Sequence, residues 1–322
     1  METLKIKFAG GAAAQCLTLM NAIYIRNKLN KKFVLKYYPY STGTYWPLSI
    51  DFLLRTDEIV DEIGTTKGLH LSTSLVPGNV IPAHPLSRKY FSYEKLLVFL
   101  RSIGLEKFLQ GLRGEKIVQA SKSNLEKVNS LTKTVSGGFV PILNESVMEE
   151  MDSRFKTANM RSPFSKFSDD RRPKIQVAVH YRIGDKRSRF TNPNIVGDDG
   201  VMDPMVFRNL MESLGYSTAD EVKVFSDNPG LAIDLLWKAG IRATSPELAS
   251  NIWSDLYDMS RSELFIGSWS QVSQLAAVCV VNRGGKVCLP DPSSVGLSND
   301  WAFEGLEFYK PYFLPREHPI YF

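Results

Sequence analysis

From Lys174 onward the apolar and polar positions fall into two alternating kinds of block. "IQVAVH", "VKVFS", "IRAT", "ELFIGS" and "KVCLP" are short, β-branched or continuously apolar runs, and they predict strands. Between them, "PMVFRNLMESLGY", "PGLAIDLLWKAG", "NIWSDLYDMS" and "QVSQLAAVCVV" carry apolar residues at helical spacing. Five strands separated by helices predict a parallel, doubly wound sheet.

The N-terminal half opens in the same way. Leu4, Ile6 and Phe8 alternate with polar residues up to the turn Gly10-Gly11. Cys16, Leu19, Met20 and Ile23 then recur at helical spacing, with Arg26, Asn27 and Lys28 at the exposed end, and "KKFVLKYY" comes next as a second strand. The stretch from Ser87 to Lys116 reads as helical and mixes Arg88, Lys89, Lys95 and Arg101 with Tyr90, Phe91 and Phe99. Two readings of it stand: amphipathic helices packed on their own domain, or a surface resting on an anionic bilayer. "SGGFVPI" predicts a further strand, and "LNESVMEEMDSRF" a helix capped by Asn144 or Ser146. Between Thr157 and Lys174 the chain turns polar, with Pro163, Pro173 and the run "SDDRRPK", which places a domain boundary there: 1–165 and 166–322. No internal repeat or low-complexity segment interrupts this organisation.

Composition adds limits. A chain of 322 residues exceeds what one core comfortably organises, so two domains are expected. At 43% hydrophobic and 23% charged residues it is ordinary globular material, and the net charge of +5 fits an anionic ligand or an acidic membrane face without deciding between them. "METLKIKFAGG" lacks the apolar core of a signal peptide, and no apolar run reaches the roughly 18 residues of a spanning helix. A cytoplasmic protein, peripheral on the inner membrane face at most, is expected. Cys16, Cys279 and Cys288 lie in apolar segments without metal-like spacing and are expected to be buried thiols.

Ligands of doubly wound sheets bind beyond the carboxyl ends of the strands, which turns the topology into residues. The first strand of the second half ends at His180, the second at Ser226-Asp227, and the fourth at Gly267-Ser268. Arg182 can offer its planar fork to phosphate oxygens, with Asp185 to orient it and Gly184 to turn the chain; a plain basic turn that includes Lys186, Arg187 and Arg189 is the alternative. The segment Ser268, Trp269, Ser270, Gln271 opens a helix, whose first-turn N–H groups and dipole favour an anion; simple capping by Ser268 or Ser270 is the alternative. Asp227, before Pro229, can cap a helix or accept from a ribose or base, and Asp255, ahead of Asp258, is a second candidate for a base edge. No Asp-x-Asp follows a strand, so no metal site is expected, and "GDDG" around Asp198 reads as a turn. "FAGGAAAQ" lacks the spaced G-x-G-x-x-G, and no acidic residue closes the second strand, which argues against a nicotinamide oxidoreductase.

"HYRIGD", "FSDN" and "DLYDMSRSELFIGSWSQVSQLAA", in that order, resemble the three motifs of the inverting α-1,2- and α-1,6-fucosyltransferases and protein O-fucosyltransferases. "KFAGGAAAQCLTLMNAIYIRNKLNKKFVL" is similar to the opening of that superfamily. The resemblance implies two Rossmann-like α/β domains facing across a cleft (GT-B type), with an acceptor-side domain at 1–165 and a donor-binding domain at 166–322. It implies a metal-independent transfer of fucose from GDP-fucose to a glycan hydroxyl in surface polysaccharide synthesis, with a lipid-linked oligosaccharide as one acceptor class and no nucleic-acid partner. Arg182 would hold the β-phosphate, and Asp185 would fix its loop. His180 would lie near the nucleotide, Ser226, Asp227 and Asp255 near the nucleoside, and Ser268, Trp269, Ser270 and Gln271 around the diphosphate. Gly10, Gly11 and Gln15 would form the ligand-facing turn of the first domain. Where the superfamily commonly has Asn before that Gln, this chain has Ala14, which leaves open a related nucleotide sugar or a binding module without catalysis.

Overall fold

A computed structural model of the chain describes residues 3–8, 11–30, 32–37, 40–41, 44–45, 50–54, 117–119, 134–136, 143–166, 174–184, 186, 200–246, 251–291, 305–315 and 317–321. The chain divides into two compact units, Met1–Ile142 and Leu143–Phe322.

The first unit is a parallel sheet with a β-Gly-α-β opening. Strand β1 (Thr3–Phe8) passes through Gly11 into α1 (Ala12–Leu29) and returns as β2 (Lys32–Tyr37), which pairs with β1 in parallel. A two-residue hairpin, β3 (Tyr40–Ser41) with β4 (Thr44–Tyr45), is antiparallel. Strands β5 (Ile117–Gln119) and β6 (Thr134–Ser136) complete the main sheet in the order β2-β1-β6-β5. Helix α1 ends where Asn30 adopts a left-handed conformation (φ 51°) and its N–H reaches back to the Arg26 carbonyl, a stop that Asn tolerates better than most residues. Arg26 to Asn30 form the exposed end, as the pattern predicts, whereas Ala13 to Ile23 are buried on every side, including Gln15, Thr18 and Asn21. The strand expected at "SGGFVPI" and the helices expected at 87–116 lie outside the described residues, apart from Ser136, which closes β6.

The second unit begins with α2 (Glu145–Thr157), capped by Asn144 rather than Ser146: Asn144 accepts from the Val147 N–H, and the Ser146 hydroxyl, inside the first turn, donates to Asn144 Oδ1 at 2.6 Å. The fully buried Phe155 on this helix meets Phe164 and Trp253, ring centroids 5.6 and 5.5 Å away. These contacts tie α2 to the C-terminal half of the chain, so the division falls ahead of the polar segment 157–174.

Then come β7 (Ile175–His180), α3 (Pro204–Ser213), β8 (Val222–Phe225), α4 (Pro229–Lys238), β9 (Ala243–Thr244), α5 (Ile252–Met259), β10 (Ser262–Gly267), α6 (Gln271–Asn282), β11 (Lys286–Pro290) and β12 (Leu306–Tyr309). The strands are all parallel, in the order β12-β11-β10-β7-β8-β9. Numbered within the unit, this is 6-5-4-1-2-3, the dinucleotide-fold order. The chain winds outward from β7 to β9, crosses back to lay β10 on the other side of β7, and winds outward again. Right-handed crossovers put α3 and α4 on one face and α5 and α6 on the other. Val177, Val179, Val222, Val224, Leu264 and Ile266 form one core with Phe207, Leu235 and Leu236; by alternation, Ala178, Phe265, Val287 and Leu289 face the opposite layer, and all are buried. A sheet covered on both faces explains why its strands read as continuous apolar runs.

The pattern predicts five strands and the structure has six. "GLEFY", within the aromatic C-terminal stretch, adds β12 beside β11; its edge position leaves Glu307 and Phe308 exposed, which hides the alternation. Cys16, Cys279 and Cys288 are buried and not disulfide-linked. Among the described residues, no helix is long and apolar enough to cross a membrane. Phe155→Ala should cost about 3–5 kcal/mol, the usual loss for a buried aromatic; urea unfolding of this variant, with α2 released from Phe164 and Trp253, is the check.

Candidate functional site

The reversal in strand order lies between β7 and β10, and the loops leaving these strands start side by side. Pairing runs past the ends of the strands: Ser268 N–H donates to the His180 carbonyl at 3.0 Å, and Tyr181 N–H to the Phe225 carbonyl at 2.8 Å. The next residues cross over with side chains. Arg182 donates its backbone N–H to Ser268 Oγ at 3.1 Å and a guanidinium N–H to Ser270 Oγ at 3.2 Å. Ser270 is also the N-cap of α6, accepting from the Val272 N–H at 3.1 Å. Ser270, not Ser268, is the cap, and the same hydroxyl also accepts from Arg182. Arg182 is half-buried, while Ser268 and Ser270 are buried. A guanidinium and the positive end of a helix of three turns thus meet at one edge of the sheet, and both favour an anion.

Asp227, expected near the nucleoside, holds the arginine loop. Its carboxylate accepts from the Ile183 N–H at 2.9 Å and from the Gly184 N–H at 3.0 Å. The fit is close, because a Cβ on Gly184 would stand 2.9 Å from Asp227 Oδ2. Loop fixing is the role expected of Asp185, which lies outside the described residues. The cap of α4 is Asn228, which accepts from the Leu231 N–H, and Ser226 accepts from the Asn228 N–H at 3.1 Å to form the turn before it.

His180, expected near the nucleotide, sits beneath the Arg182–Ser270 contact. It is buried, and its Nδ1 lies 2.6 Å from Oγ of the fully buried Ser273 on α6. Burial, with the nearby Arg182 cation, lowers its pKa from 6.5 to about 4, so the ring is neutral at ordinary pH. The helix comes this close because the neighbouring strand offers no side chain: a Cβ on Gly267, the register partner of His180, would meet Leu289 Cδ2 at 2.6 Å and Ser273 Cβ at 2.7 Å. Gly267 reads in the sequence only as a strand end, and Ser273, which packs against it and bonds His180, is passed over by motif reading. Their only sequence signal is small residues at a strand end and one helical turn after a cap, in "GSWSQVS".

Trp269 and Gln271 flank Ser270, each half-buried. Asp255 lies in the first turn of α5, half-buried, with a capping box of Asn251 and Ser254 before it. A shallow pocket of about 120 Å³ opens along this helix beside Met160, Arg161, Trp253 and Tyr257. Gln15 and Gly11 belong to the first unit, Gln15 fully buried on α1 and Gly11 at its N-cap; Gly10 lies outside the described residues. Among the described residues no group of three His, Cys, Asp or Glu side chains is placed to hold a metal ion.

No family model and no curated protein matches the chain. Solved structures similar to it include POFUT1 in complex with GDP, 14% identical with a TM-score of 0.38, covering 89% of this chain and 98% of that one. The fucosyltransferase NodZ from Bradyrhizobium is 11% identical with a TM-score of 0.38, over 86% of this chain and 92% of that one. The iron-containing heptosyltransferase TibC in complex with ADP-D-beta-D-heptose is 13% identical with a TM-score of 0.38, over 96% of this chain and 63% of that one. At such identities and scores, function rests on the residues themselves.

A histidine buried neutral makes stability depend on pH with a definite sign. The unfolded chain takes up a proton near pH 6.5 and the folded one near pH 4, so the contribution of His180 is complete above pH 6.5 and is lost as pH falls toward 4. The loss amounts to roughly 3 kcal/mol. Chemical denaturation at pH 7 and at pH 4.5 should show it, and His180→Asn should flatten that difference.

Proposed function

We propose that the chain is a nucleotide-sugar-dependent glycosyltransferase and that its second unit binds the donor through the diphosphate. The observation that carries this reading is the junction of Arg182, Ser268 and Ser270 at the switch point, a cation and a helix start brought together where doubly wound sheets bind nucleotides. The motif resemblance supports GDP-fucose as the donor, a glycan hydroxyl as the acceptor, an inverting reaction without a metal, and the GT-B arrangement of two domains across a cleft. Surface polysaccharide synthesis at the inner membrane face is the setting that fits this acceptor class.

In the reaction an acceptor oxygen bonds to the anomeric carbon while the bond from that carbon to the diphosphate oxygen breaks. The electron pair leaves with the nucleoside diphosphate, and the acceptor's proton passes to solvent or base. Negative charge on the leaving oxygen grows toward the transition state, so fixed donors aimed at it lower the barrier more than they tighten substrate binding. Arg182 and the first turn of α6 are such donors, and they are preorganised: Ser270 holds the guanidinium, Asp227 the loop, and Ser273 with His180 the helix.

Ala14 favours a second reading, a nucleotide-sugar-binding module without transferase activity, because the superfamily's amide at that position is missing and the methyl here is buried in α1. Donor turnover with and without glycan acceptors separates the two readings.

Thermal-shift titration with GDP, UDP, CDP, dTDP and their sugars should raise the apparent Tm with GDP and GDP-fucose, by about 2.7 kcal/mol of added stability at a hundredfold excess over Kd. Arg182→Ala should remain folded, lose about 10- to 100-fold in diphosphate affinity, and lose transfer. Arg182→Lys should not rescue it, since one ammonium does not reproduce the fork that spans two acceptors. A folded Arg182→Ala protein with near wild-type affinity would sink the clamp.

A further inference from the structure

Three buried tyrosines, none of them in the diphosphate clamp itself, converge on the segment that closes the arginine loop. The chain leaves β7 through Arg182 and re-enters described structure at Gly200 to Asp203, just before α3. There Tyr181, fully buried and adjacent to Arg182, donates its hydroxyl to the Met202 carbonyl at 2.5 Å. Tyr309, the last residue of β12, donates to the Gly267 carbonyl at 2.6 Å and lies 3.5 Å from Met202 Sδ. Tyr321 accepts from the Val201 N–H at 3.0 Å and donates to the Leu314 carbonyl at 3.3 Å. Backbone pairing completes the junction: Leu314 N–H donates to the Val201 carbonyl, and Asp203 N–H to the Tyr312 carbonyl, both at 2.8 Å. Burial raises the pKa of all three phenols, so they stay protonated and able to donate.

We infer that the C-terminal residues 309–315 and 317–321 form a strap that positions the proposed diphosphate clamp of Arg182, Ser268 and Ser270, with Tyr309 and Tyr321 as positioning residues for the proposed reaction, an inference that rests on the donor-site reading. The geometry gives the strap two holds. Through Tyr309 it fixes Gly267, the residue before Ser268, at the exit of β10. Through Tyr321 and the backbone pairs it fixes Val201 to Asp203, where Met202 accepts from the hydroxyl of Tyr181, the residue beside Arg182. Both sides of the clamp are thereby referred to one C-terminal segment. Neither hydroxyl reaches outward: Tyr309 and Tyr321 are buried, so their part is to set where Arg182 and Ser268 stand.

The test uses full-length Tyr309→Phe, Tyr321→Phe and the double variant, each of which keeps the ring and removes only the hydroxyl. Hydrogen exchange of the Val201, Asp203 and Leu314 amides should accelerate by about fivefold per lost hydroxyl bond, and GDP affinity should fall by a similar factor while the protein remains folded. Tyr312→Ala, whose side chain is exposed and whose strap contact is a backbone carbonyl, should leave both readouts as in wild type. If transfer is measured, the KM for the donor should rise and kcat should fall, a split that a merely less stable protein assayed below its Tm does not show. Unchanged exchange in the double variant would overturn the strap. Faster exchange with unchanged GDP affinity would overturn its link to the clamp. If wild type binds no nucleoside diphosphate, the donor-site reading and the positioning role built on it both fail, whereas the exchange result still decides whether the strap exists.

Discussion

The parallel pairing of β7 with β10 is the constraint on which the rest of the second unit depends. These two strands are neighbours in space but are separated in the chain by β8 and β9, and their register places Gly267 against His180. Around that pair the two faces of the sheet differ. On one side stand Val177, Val179, Leu264 and Ile266; on the other, by alternation, Ala178, His180, Phe265 and the bare Cα of Gly267. A slip of one residue would exchange these sets, move the imidazole away from Ser273, and drive branched side chains into the space that α6 occupies. Register is thus fixed by volume on one face and by a buried hydrogen bond on the other.

From this pairing the site is reached by short steps. Because Gly267 offers no side chain, α6 can start close to the sheet; because it starts there, Ser273 reaches His180 and Ser270 reaches Arg182. The His180 ring is neutral, so the contact beneath the clamp adds no charge to it. The carboxylate of Asp227, which joins the arginine loop, accepts from two backbone N–H groups and holds the loop's path.

Much of the second unit is legible in the sequence because its strands are covered on both faces and its helices present apolar stripes, so that periodicity and burial coincide. The motif residues Arg182, Ser268 and Ser270 are legible for a related reason: topology alone sends strand ends to one edge. The parts that stay hidden share a different physics. An edge strand such as β12 buries only one residue well, and a hydroxyl such as Tyr321's acts through a contact 120 positions away. Asp227 is visible but its partners are not, since nothing local shows that a carboxylate after one strand will meet N–H groups after another. Ser273 is an ordinary small helix residue until the closeness of Gly267 is known.

The arrangement also gathers two positive groups at one edge of the sheet. A guanidinium placed against the N-terminus of α6 meets the positive end of the helix dipole, which favours anions and disfavours cations. The Ser270 hydroxyl and the backbone bond to Ser268 hold Arg182 there. An anion seated between the two positive groups would relieve the repulsion and gain both attractions at once. On the proposed reading, that is where the donor's diphosphate would sit.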